Sequence, residues 1–186
     1  DTVILDKTGT VTLGELKLVL AEAHLWIGDA SQAHRCATDA IALFLPGTSA
    51  WFRAISEGVL ASGRIGLKQA LLAWVERAIS TQAAPDALAA KIGVLGRGLS
   101  HLLLVGAPEH AASVLRAMEH LVGAAGEDLD AQTRYRVHHG RALWALSSGD
   151  LEQYLREAEA ALAAAEEAGD PRGTTNAQVN LGFVLS

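Results

Sequence analysis

The chain has 186 residues, of which half are apolar and only 5% aromatic, with a formal net charge of -6 and a pI near 5.6. Abundant alanine and leucine with few rings favour closely packed helices over a sandwich of strands, so the expected fold class is all-α. The acidic balance and scattered Lys and Arg leave no positive field for phosphates, and no nucleic acid is expected as a partner. A single cysteine, Cys36, cannot form an internal disulfide, which fits a reducing, cytoplasmic setting. No run approaches the roughly 18 consecutive apolar residues of a membrane span, so membrane insertion by this chain is not expected. The missing initiator methionine and the apolar ending "NLGFVLS", with no helix-stop signal, predict a part of a longer polypeptide.

Residues 1–15 read as a short extended leader, an apolar run from Thr2 to Leu5 followed by Asp6-Lys7-Thr8-Gly9-Thr10-Val11-Thr12. This stretch resembles the phosphorylation motif of P-type ATPases, within the wider haloacid-dehalogenase-like superfamily. The resemblance implies Asp6 as phosphoryl acceptor, with Lys7 and Thr8 in the turn beside it and Mg²⁺ as cofactor. Such chemistry also needs further metal-holding carboxylates and a lysine from a distant loop. That family's Gly-Asp-Gly-x-Asn-Asp motif is missing, because "GDASQA", "GDLEQY" and "GDPRGT" all lack the second aspartate. The expectation is therefore no catalysis and no cofactor in this chain; a phosphoryl-transfer fragment is the alternative.

Residues 16–186 carry glycines between apolar helical segments. "LAEAHLWIGDASQAHRCATDAIALFLPGT" reads as helix, turn at Gly28-Asp29 and second helix, with Ala21, Ala33 and Ala40 small enough for two antiparallel helices to approach closely. The arrangement recurs around Gly63, Gly106 and Gly149-Asp150, at intervals of about 35 to 43 residues. Units are expected at about 16–46, 48–83, 85–123 and 128–170, with a partial unit at 173–186 opening on Asn180-Leu181-Gly182. The spacing, the small residues and the Asn-Leu-Gly core resemble the tetratricopeptide (TPR) repeat, most clearly in the first, fourth and fifth units. The run also looks like the TPR-like regions that follow kinase or ATPase modules in large bacterial signalling proteins. The resemblance implies a TPR-like α-solenoid of antiparallel helix pairs.

Seven histidines invite a metal hypothesis, but His138-His139, His24/His34 and His110/His120 lack the three- or four-residue helical spacing of zinc pairs, and no metal is expected. Trp26, Trp51, Trp74 and Trp144 are expected in the core, where large rings between small residues lock helix pairs. Glu157, Glu159, Glu166 and Glu167, with Arg156, read as a solvated helix face.

The resemblance implies a scaffold for protein–protein interaction, with a peptide or partner helix held in a concave groove lined by the first helices of the pairs. The TPR groove positions fall on Glu22, Arg53, Glu57, Arg136, His139 and Asn180. A purely structural spacer is the remaining alternative.

Overall fold

The structure, a computed structural model, describes residues 2–4, 10–126 and 128–184. Asp6, Lys7 and Thr8 lie outside the described residues. The leader is shorter than expected: β1 (Thr2–Ile4) pairs antiparallel with β2 (Thr10–Thr12), Val3 opposite Val11, and α1 (Leu13–Trp26) starts directly after it. The cause is a capping box. The Thr12 hydroxyl accepts from the Glu15 N–H at 3.2 Å, and the Glu15 carboxylate accepts from the Thr12 N–H at 2.8 Å. The end of the motif-bearing stretch thus launches a helix.

Beyond α1 the described residues form α2 (Ala30–Leu43), α3 (Ser49–Arg64), α4 (Lys68–Ser80), α5 (Leu88–Leu104), α6 (Pro108–Ala125), α7 (Ala131–Ser148), α8 (Leu151–Glu167) and α9 (Pro171–Val184). The fold is all-α, with the small hairpin at its start. Glycine–aspartate pairs make three of the turns. Gly28, Gly149 and Gly169 take positive φ after a helix, and Asp29, Asp150 and Asp170 then accept from backbone N–H groups of the next one. The turn after α3 uses Gly66, at φ +72°, and not Gly63. Gly63 stays helical and provides clearance, since a Cβ there would stand 2.4 Å from His101 Nδ1. Neither α4 nor α6 has a side-chain cap; α6 has Pro108 in its first turn instead.

Consecutive helices pack together from α1 to α6 and from α7 to α9, and the odd-numbered helices from α1 to α7 also pack one on the next. The main core runs through the middle of the molecule, where Trp51, Phe52, Ile55, Leu71, Ile92 and Leu95 are fully buried. Each such side chain contributes roughly 1.5–3 kcal/mol by leaving water. A second, alanine-rich layer joins α7 to α8 around Tyr154, Ala142, Ala145 and Ala158. Cys36 is buried against Ala21 and Ala37.

Three local expectations change. Trp51 is core and Trp74 and Trp144 are half-buried against it, but Trp26, the last residue of α1, is 64% exposed. Glu157 is not on a solvated face: its Oε2 lies 2.8 Å from His138 Nδ1, while Glu159, Glu166 and Glu167 are exposed. The segment Pro85–Leu104 is long and apolar enough to cross a membrane by length and composition, where no such run was expected. Most of it is buried among α3, α4, α6 and α7, which accounts for its apolar character.

Candidate functional site

Three- and four-residue spacings place side chains on one face of a helix. On α7 this joins Gln132, Tyr135, Arg136 and His139, and on α5 it joins Gly96, Arg97, Ser100 and His101. Together with Arg64 of α3 and Arg172, Gly173 and Asn176 of α9, these residues surround a pocket of about 120 Å³. Each wall comes from an odd-numbered helix or, for Asp170, from the cap that starts α9.

The absence of side chains on α5 makes this geometry. A Cβ on Gly96 would lie 2.6 Å from the Arg136 carbonyl oxygen, and one on Gly93 would lie 3.0 Å from Arg136 Nη1. The backbones of α5 and α7 therefore touch at Gly96, and the Arg136 guanidinium rests over bare helix at Gly93.

The charges in and around the pocket are mostly engaged. Arg97 Nη1 lies 2.8 Å from Glu57 Oε1 and also donates to the Ser56 carbonyl. Arg64 Nη1 donates to the Leu25 carbonyl at 3.1 Å. The Arg172 guanidinium sits 4.0 Å from the centroid of the Trp26 ring. Asp170 receives the Gln132 amide at 3.0 Å and the N–H groups of Arg172 and Gly173. Burial works to raise the Asp170 carboxyl, but the Gly173 N–H, the Gln132 amide, the Arg172 N–H and the Arg136 charge outweigh it and hold the group below its ordinary range. Arg136 differs from its neighbours. Its Nε is shielded from solvent without a partner, and no acceptor among the described residues takes a hydrogen bond from its guanidinium. Burial first, and then the Arg97 charge, lower its pKa to about 10, so it remains cationic at neutral pH.

The imidazoles are neutral. Burial lowers His139 to about 4, and burial aided by Arg97, His139 and Arg64 lowers His101 to about 4. Asn180 Nδ2 donates to His139 Nδ1 at 3.3 Å, which leaves Nε2–H as the free donor of a ring stacked on Tyr135.

Of the six groove residues expected from sequence, Arg136 and His139 line the pocket. Asn180 braces His139, and Glu57 holds Arg97. Glu22 and Arg53 do not stand apart as separate recognition groups: Arg53 Nη2 lies 2.8 Å from Glu22 Oε1, and the two satisfy each other across α1 and α3. The sequence reading missed Arg64, Arg97, His101 and Arg172. The helical spacing that leads from Arg136 to His139, together with the glycines at 93 and 96 of a single helix, was the available signal for the α5 wall. Nothing local indicates Arg172, which reaches the pocket by long-range packing. No group of three metal-ligating side chains occurs among the described residues. No protein-family model matches this chain, nor does any curated protein or solved structure.

Proposed function

We propose that the chain is a protein–protein interaction segment, a TPR-like stack of antiparallel helix pairs from a larger bacterial signalling protein, acting in the cytoplasm without chemistry of its own. The odd-numbered helices are the first helices of the pairs, and their shared face takes a peptide segment or partner helix rich in acceptors. The observation that carries this reading is the convergence of α3, α5, α7 and α9 on one pocket containing a cationic guanidinium with no acceptor. A solvent-shielded Nε without a partner costs free energy that a bound acceptor offsets. Hydrogen exchange with an acidic extended peptide tests it: protection is expected in α3, α5 and α7, and protection confined to α6 and α8 would move the working surface to the other face.

A further inference from the structure

We propose that the Arg136 pocket is a binding site for a compact oxyanion, the phosphate or carboxylate group of a small molecule or a peptide, held mainly by the Arg136 guanidinium. The inference rests on the reading of the odd-helix face as the working surface and narrows what enters it.

Four guanidiniums stand at this place, and three of them are occupied by Glu57, the Leu25 carbonyl and the Trp26 ring. The three nearby carboxylates are occupied as well: Glu57 faces Arg97, Asp130 accepts from the Thr133 N–H and hydroxyl, and Asp170 faces the Gln132 amide and two backbone N–H groups. Arg136 is thus left with charge and donors and no acceptor, in a place where water cannot reach its Nε. A planar guanidinium presents paired N–H groups that match the two oxygens of a carboxylate or phosphate, and such charge-assisted bonds strengthen out of water. His139 adds a neutral Nε2–H. Excess positive charge around the pocket selects an anion over a neutral amide.

Size limits the ligand. The pocket holds about 120 Å³, and its rim is tied down on two sides, by Arg64 of α3 bonded to the Leu25 carbonyl of α1 and by Arg172 over Trp26. An oxyanion with a short attachment fits, whereas the bulk of a folded partner stays outside.

The test uses the intact chain near pH 7.5. Thermal unfolding is followed in sodium phosphate, sodium acetate and a short peptide with a free carboxyl terminus, each against sodium chloride at equal ionic strength, with an amidated peptide as control. At least one oxyanion is expected to raise the midpoint above the chloride value. Phosphate alone points to a free or esterified phosphate, and the free but not the amidated peptide points to a chain terminus. Arg136→Met is expected to weaken that binding by roughly 10- to 100-fold, whereas Arg116→Met, on the outer helix α6, leaves it unchanged. Should Arg136→Met fail to fold, Gly93→Ala serves, since its methyl would displace Nη1 from 3.0 Å. Midpoints equal to those in chloride, or stabilisation that survives both pocket variants, would overturn the proposal. Peptide protection on α3, α5 and α7 in that case would leave the interaction surface standing and remove only the oxyanion site.

Discussion

The Arg172 guanidinium, at the start of α9, lies 4.0 Å from the ring centroid of Trp26, at the end of α1, and so joins the first helix to the last. Seven helices, α2 to α8, separate these residues in the chain, and Arg64 ties the same end of α1 to the pocket rim through the Leu25 carbonyl. A cation over an indole contributes roughly 0.5–1 kcal/mol where one partner is exposed, as Trp26 is. Trp26→Ala is expected to lower the unfolding free energy by about that amount and to speed amide exchange in α9 more than in α5. Unchanged exchange in α9 would show that the contact holds nothing together.

Acid is expected to destabilise the fold through the pocket histidines. His101 and His139 titrate near 4 when folded and near their ordinary value when unfolded. Depressed folded values mean that the unfolded chain binds more protons between about pH 6.5 and 4, so stability is intact above this window and falls as pH drops through it. The loss is of order 2–3 kcal/mol for each ring. Urea unfolding at pH 7.5, 5.5 and 4.5 checks it, and His139→Gln should flatten the profile.

Two helical glycines should respond in opposite directions to alanine. Gly96→Ala puts a methyl 2.6 Å from the Arg136 carbonyl, a backbone atom that cannot swing aside, and is expected to cost about 1–3 kcal/mol. Gly123, in α6, has nothing within 4 Å of its would-be Cβ. Gly123→Ala should stabilise by roughly 0.4–1 kcal/mol through the unfolded chain. Denaturant midpoints of the two variants provide the comparison.

The aspartate caps should matter unequally. Asp150→Ala removes one acceptor for the Gln153 N–H at 2.9 Å, at a cost of about 1 kcal/mol. Asp170→Ala removes acceptors for two N–H groups and the Gln132 amide, and should cost more and loosen α9. Equal losses in thermal denaturation would mean that the links to Gln132 and Arg172 carry no weight.

The all-α class and the positions of most turns could be read from the sequence because their causes are local. Glycine ends a helix and the aspartate after it starts the next, so Gly28-Asp29, Gly149-Asp150 and Gly169-Asp170 all fall where expected. Gly63 misled because a helical glycine that clears space for His101 looks, in sequence, like a glycine that ends a helix; Gly66, three residues on, performs that task. Arg136 and His139 were reached only through the resemblance to TPR groove positions. The pairing of Glu22 with Arg53, the exposure of Trp26 and the arrival of Arg172 at the pocket depend on how α1, α3 and α9 meet, which no short window of sequence encodes.

The contact between Gly96 and the middle of α7 has a mechanical side. A Cβ on Gly140 would stand 3.1 Å from the Gly96 carbonyl oxygen and 3.1 Å from Leu99 Cδ2, so the two helices cross there backbone against backbone with one leucine beside the contact. Such a crossing sets the distance between α5 and α7, since any side chain at Gly96 or Gly140 would hold the two helices further apart. Arg136 gives this contact its carbonyl and the pocket its guanidinium, while Ala145, further along α7, packs with Tyr154 of α8. One closely seated helix therefore meets α5, the pocket and α8 at once, and a bulkier residue at the crossing would be felt at all three.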